Sequence, residues 1–378
     1  MLNQTELARI ERELRRSKAL TVYVANQPEN PAERTAWRRA LADGMDRVRR
    51  ATGGAPHAER EALEASIRAV EAELTSYPET LPAHGWVAFA TAEGVRYREL
   101  LPVAPPAMIT WQDGIRVAPY LAARDNRLTS IIAVVDSRQG RVYRFDDGML
   151  EKLDTIRSHA VIGPVEHMGY PPSTGFHTGT RGATGADAAQ RELLVGRQHM
   201  LAELAQRLTD LSAPNACILV GGIPEVAIAA LAALPQTVQH RAHRVVGLDV
   251  HARDSEIAAA ALEGAKSLRE AEDLAEVDEV LARWAAAGHA VVGPAPIRDA
   301  LESGAVAHLY MTRAFIGSRA ADAESLTIAA LDQGAPVDVV GGGAATRLDA
   351  EGDGLAAALR FQPYRSVTPV HANSGVAR

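Results

Sequence analysis

The sequence predicts an α/β fold (α+β layers) arranged as three consecutive domains, and three observations carry that expectation. Short apolar runs of strand length alternate with longer stretches of helical periodicity, which is the pattern of layered α/β domains. The chain has 378 residues, enough for two or three cores. Its composition, 47% hydrophobic and 23% charged, is that of a folded globular chain rather than a disordered one. The expected domains are 1–124, 125–250 and 251–378.

In the first domain, ELARIERELRRS has helical amphipathicity and LTVYVA reads as a strand. PENPAE is a turn with a proline-assisted helix start. Two helices follow, Ala32 to Ala51 and His57 to Tyr77, split by TGGAP. WVAFAT, a tight EG turn and VRYRELL form an expected hairpin, and PVAPPA is extended because its prolines cannot donate to a ladder.

The second domain opens on RLTSIIAVVDSRQGRVYRF, two β-rich runs about a polar turn. Residues 158–185 carry little periodicity and many glycines and prolines, and long irregular stretches in compact domains are often functional. The helix after them has Leu194, Leu201, Leu204, Leu208 and Leu211 as one expected buried stripe. Thr184 and Asp187 have capping-box spacing at its start. ACILVGG is a strand, PEVAIAALAAL a helix and HRAHRVVGLDV a strand. Cys217, the only cysteine, lies in the first of these and can form no internal disulfide.

The third domain reads as a helix through SEIAAAALEGAKSL and a second helix ending at Trp284. VVGPAPIRDALESGAVAHLYMT is strand, helix, turn, strand, and ESLTIAALDQGAPVDVVGG repeats helix to strand. VVGGGAATRL is a strand-end turn, and EGDGLAAALRF a turn, short helix and strand.

Charge and motifs exclude several functions. At face value the net charge of −7 argues against a nucleic-acid partner such as DNA, but its distribution matters more: residues 248–360 hold 19 acids against 9 bases while the first fifty residues are arginine-rich. No apolar run reaches the roughly 20 residues of a membrane span. The N-terminus lacks the apolar core of a signal peptide, so a cytoplasmic location is expected. HTGTRGATGADAAQREL, residues 177–193, has the glycines of a phosphate cradle but neither the lysine nor the hydroxyl of G-x-x-x-x-G-K-[ST]. Its glycine spacing also misses the dinucleotide fingerprint. His159, His167 and His177 have no metal-ligand spacing, and there is no G-x-S-x-G elbow. No metal and no cofactor is expected.

The third domain resembles a known family. VVGPAPIRDALESGAVAHLYMT, GAPVDVVGG and EGDGLAAALRF are similar to the C-terminal domain of eukaryotic-type peptide-chain release factors and Pelota. The glycine loop, the helix after it and ACILVGG fall where the middle domain of those factors carries its catalytic loop, helix and following strand. The first domain resembles the bacterial and archaeal branch, which includes the ribosome hibernation factor Balon and its mycobacterial relatives. The resemblance spans roughly residues 128–362 as scattered motifs.

Active members carry Gly-Gly-Gln, preceded by arginine, at the loop tip. In register, Arg181 stands on the arginine, Gly182 on the first glycine, Ala183 on the second and Thr184 on the glutamine, with Gly185 following. The loop has no Gly-Gly pair, and its first glutamine, Gln190, lies inside the expected helix. The resemblance therefore implies a non-catalytic ribosome-binding factor of hibernation or stress that occupies the aminoacyl site. A rescue peptidyl-tRNA hydrolase with an atypical loop, or a protein-interaction module that never meets the ribosome, are the alternatives. Arg181, Arg191 and Arg197 are the candidate ribosomal RNA contacts, through phosphate rather than base reading. Elongation factor Tu or another translational GTPase is the partner implied for the acidic C-terminal domain.

Overall fold

The computed structural model describes residues 2–26, 35–77, 81–101, 103–124, 129–146, 149–158, 185–213 and 216–362, with the backbone alone for 185–191. Contacts divide the chain into two compact units, one of residues 127–269 and one formed jointly by 1–126 and 270–378.

The joint unit holds two four-stranded sheets. Helix α1 (Gln4–Leu14) starts on a capping box, Asn3 accepting from the Glu6 amide at 2.8 Å while Glu6 takes the Asn3 amide. Strands β1 (Lys18–Ala25), β2 (Gly85–Thr91), β3 (Gly94–Leu101) and β4 (Met108–Asp113) form an antiparallel sheet in the order β3-β2-β1-β4. Helices α2 (Ala36–Ala51) and α3 (His57–Leu74) cover one face, where Leu20, Val22, Trp86 and Ala88 meet Trp37, Met45, Leu63 and Ile67. The alternate residues Ala19, Tyr23, Val87 and Phe89 point to the other face, so β1 and β2 are buried on both sides. Strand β4 and the short α4 (Ala118–Arg124) have no counterpart in the sequence reading.

In the middle unit, β5 (Ser130–Val135), β6 (Gln139–Asp146) and β7 (Met149–Arg157) run antiparallel, with α5 (Gly185–Leu211) after them. Strand β8 (Cys217–Gly222) lies parallel to β5, then come α6 (Pro224–Ala232), α7 (Gln236–Gln239) and β9 (Ala242–Arg244). The sheet order is β7-β6-β5-β8-β9. Ile131, Ala133 and Val135 face α5 and α6, whereas Ile132 and Val134 face Leu248, Ile257 and Ala261. Burial on both faces is why IIAVV is continuously apolar rather than alternating. The expected strand HRAHRVVGLDV shrinks to three residues, the rest being turn.

Helix α8 (Asp254–Ala285) is one unbroken helix of 32 residues where the sequence suggested two. Within it Gly264 passes close over Leu219, where a Cβ would come within 3.2 Å of its side chain. Residues up to Arg269 belong to the middle unit and those from Glu270 to the joint unit.

The second sheet of the joint unit contains β10 (Ala290–Val292), β11 (Val306–Thr312), β12 (Val337–Val340) and β13 (Leu355–Leu359), in the order β10-β13-β11-β12. Only β11 and β12 are parallel. Helices α9 (Pro294–Glu302), α10 (Arg313–Ser318) and α11 (Ala320–Asp332) join its apolar face to the core that Tyr23, Phe89 and Leu121 also enter. Helix α12 (Gly342–Gly352), read from sequence as a turn, packs Ala344 and Leu348 on the other face with Val277 and Leu281. The short helix expected in EGDGLAAALRF is absent: LAAAL is β13, paired on both sides.

Candidate functional site

The glycine-rich stretch leads directly into α5, so the site is built from what holds that helix. Met200, Leu201, Leu204, Ala205 and Leu208 form its buried stripe against Ile131, Val142, Ile218 and Val220. Gly140 on β6 permits close approach, since a Cβ there would lie 3.1 Å from a Leu204 methyl. A charged contact fixes the outer edge: the Arg207 guanidinium donates to Asp154 on β7 at 3.0 Å. With both side chains about two-fifths exposed, this pair sets register more than stability. At its far end the Thr209 hydroxyl donates to the Ala205 carbonyl at 2.7 Å.

The N-terminal half of α5 behaves differently. Leu194, expected in the buried stripe, is 45% exposed, and Leu193 and Val195 are similarly open. The stripe starts only at Met200, so the 15 residues from Gly185 to His199, about 22 Å of helix, precede its main core contact. Three consecutive large apolar residues in the open on one helix are unlike an ordinary solvated face.

Of the expected contact residues, Arg197 is partly buried on this segment and has no charged partner among the described residues. Arg191 lies within α5 by backbone, and Gly185 begins it. Arg181, Gly182, Ala183 and Thr184 lie outside the described residues, as do the Thr184–Asp187 cap and His159, His167 and His177.

The sheet behind α5 is held by tight backbone packing at the ends of β5 and β8. Gly222 has φ +108°, and a Cβ would lie 2.1 Å from the Val135 carbonyl oxygen, so no larger residue fits. Ile223 then donates its amide to that carbonyl at 3.0 Å, starting α6 behind the sheet. On the opposite side, Arg141 lies 5.9 Å from the Tyr143 ring centre and donates to the Val250 carbonyl. Burial pushes the Tyr143 phenol up, while the neighbouring Arg141 cation pulls it down. Sequence reasoning missed β7 and hence Asp154; MLEKLDTIR, at a sheet edge with Ile156 alone buried, has too little apolar alternation to announce a strand.

Residues 116–266 match the family model of bacterial archaeo-eukaryotic release factor family 10. That segment is release-factor-like. It runs from the link before α4 through the middle unit and into α8, and so contains the glycine-rich stretch and α5. Among solved structures, Archaeoglobus fulgidus Pelota is similar at 15% identity over 75% of this chain and 83% of its own, with a TM-score of 0.38. S. cerevisiae Dom34, a translation termination-like factor, is similar at 12% identity over 77% of each chain, with a TM-score of 0.46. The archaeal translation termination factor aRF1 is similar at 16% identity over 95% of this chain and 99% of its own, with a TM-score of 0.26. No curated protein matches the chain. Among the described residues, no helix is long and apolar enough to cross a membrane.

Proposed function

We propose that this chain binds the ribosomal aminoacyl site as a non-catalytic factor of hibernation or stress. One observation carries the reading: the family segment contains TGTRGATGAD, running into the start of α5, and no Gly-Gly-Gln. Two adjacent glycines give a backbone freedom that Gly182-Ala183 lacks. The Thr184 side chain has no amide with which to place a water against an ester. What remains is a long helix anchored at Met200 to Leu208, with Arg197 ahead of the anchor and Arg191 earlier in the same helix as the proposed phosphate contacts. The acidic third domain supports a protein partner, and a translational GTPase such as elongation factor Tu is the one proposed.

Cosedimentation with 70S particles from stationary or stressed cells tests this. Binding without release of peptide from stalled ribosomes is the expected result. Peptide release that depends on residues 179–185 makes the chain a rescue hydrolase instead, and absence from ribosomes under every growth state removes the reading altogether.

A further inference from the structure

In the joint unit, Glu324 occupies an unusual place. It lies on α11, is 3% exposed, and accepts from two consecutive backbone amides, Val117 at 2.7 Å and Ala118 at 3.1 Å, at the start of α4. Its partners come from a chain segment more than two hundred residues earlier, so this one carboxyl stitches the N-terminal segment to the C-terminal one. Around it the two segments share a core: Tyr120, Leu121 and Ala122 of α4 pack with Ala323, Leu326 and Ala330 of α11. A cleft of about 280 Å³, lined by Glu11, Arg15, Gln112, Arg116, Glu324 and Ser325 among others, gives the carboxyl a route to solvent protons.

We propose that this seam is a proton-responsive joint, in which protonation of Glu324 tightens the packing of the N-terminal segment on the C-terminal segment and deprotonation loosens it. Burial without a paired cation sets the sense. A carboxylate removed from water is costly unless a cation compensates it, and among the described residues none lies within ion-pair distance of Glu324. The two amides favour the charged form, but they are neutral dipoles. Arg116, from the link before α4, attracts the charge from further away, and Glu11 of α1 repels it.

The other ionisable groups around the seam do not supply the response. Arg15 of α1 is committed to Glu11 and Asp332, which raise its pKa further. Tyr23 of β1 donates to the Arg116 carbonyl at 2.6 Å and is pushed well up by burial. Asp113 pairs with Lys18, Asp322 of α11 with Arg298 of α9, and Arg313 of α10 donates to the Ala122 carbonyl.

Burial therefore dominates, and the Glu324 carboxyl is pushed up from 4.5 to about 7. A folded-state pKa above the unfolded value means that the packed form binds the proton more tightly. Packing is strongest below about pH 4.5 and weakens as the pH rises toward 7. Over that window the unfolding constant of the joint unit rises with pH through this group.

All four tryptophans, Trp37, Trp86, Trp111 and Trp284, lie in the joint unit, so tryptophan fluorescence of the full chain in urea reads this unit without the other. The experiment compares wild type with Glu324→Gln from pH 4.5 to 8; the amide imitates the protonated acid, and all other groups titrate equally in both proteins. The wild-type midpoint should fall with pH more steeply than that of the variant. Parallel pH profiles overturn the proposal. Should the variant not fold, amide exchange in wild type decides: protection at Val117 and Ala118, corrected for intrinsic rates, should be higher at pH 5.5 than at 7.5. Equal or reversed protection refutes the joint.

Discussion

Leu204 and Leu194 occupy the same stripe of α5 by sequence spacing, yet the structure separates them: Leu204 is fully buried and Leu194 is 45% exposed. Truncating each to alanine therefore measures where the helix is anchored. Leu204→Ala removes a side chain enclosed by Ile131, Val142, Ile218 and Val220 and seated over Gly140, leaving a cavity that the flat glycine surface cannot fill. Such truncations cost about 2–5 kcal/mol. Leu194→Ala removes a side chain with little to lose and should stay within about 0.5 kcal/mol. The middle unit contains no tryptophan, so the assay is hydrogen exchange followed by mass spectrometry on peptides covering β5, β6 and β8. Leu204→Ala should lower their protection roughly 30-fold to several thousand-fold, and Leu194→Ala about twofold at most. Equal effects, or an unchanged β5 in Leu204→Ala, would refute the assignment of the anchor to Met200–Leu208. Ribosome cosedimentation of Leu194→Ala then tests whether its exposed side chain contributes to binding.

Other outcomes follow from the same geometry. Gly222→Ala should destabilise the middle unit by more than the roughly 1–2 kcal/mol of a left-handed alanine, because its Cβ also strikes the Val135 carbonyl; thermal melting by far-ultraviolet dichroism reads this. Arg207→Ala should cost no more than about 1 kcal/mol, since its pair with Asp154 is largely solvated, and a loss several times larger shows that the pair carries more than register. Reversing Arg181, Arg191 and Arg197 to glutamate should weaken ribosome cosedimentation and flatten the salt dependence of what remains; unchanged binding moves the contact face elsewhere on the chain.

Much of the fold was legible in the sequence because burial leaves a period. The LTVYVA strand, the hairpin of IIAVV and RVYRF and the strand-helix-strand of VVGPAPIRDALESGAVAHLYMT all stand where their patterns put them. Several misses share a cause, which is that pattern fails where an element is buried all round or hardly at all. APYLAAR forms α4 but is enclosed on nearly every side, so no polar face marks its turns. MLEKLDTIR forms the edge strand β7 with little apolar signal. LAAAL has the alanine content of a helix and becomes β13, because pairing with β10 and β11 outweighs local preference. The candidate site was legible only as composition: glycines, an arginine and a missing Gly-Gly-Gln are visible in the sequence, whereas the anchor starting at Met200 is not.

By itself the sequence determined the local content of this protein: α/β layers and a glycine-rich stretch without Gly-Gly-Gln ahead of a long helix. Those properties are short-range, set by periodicity and by which side chains are present. Only the tertiary structure decided that residues 1–126 and 270–378 make one unit, that Leu194 is open while Leu204 is buried, and that Glu324 meets the amides of Val117 and Ala118. Contacts across two hundred residues depend on which faces pack together, and no local pattern in either segment encodes its partner.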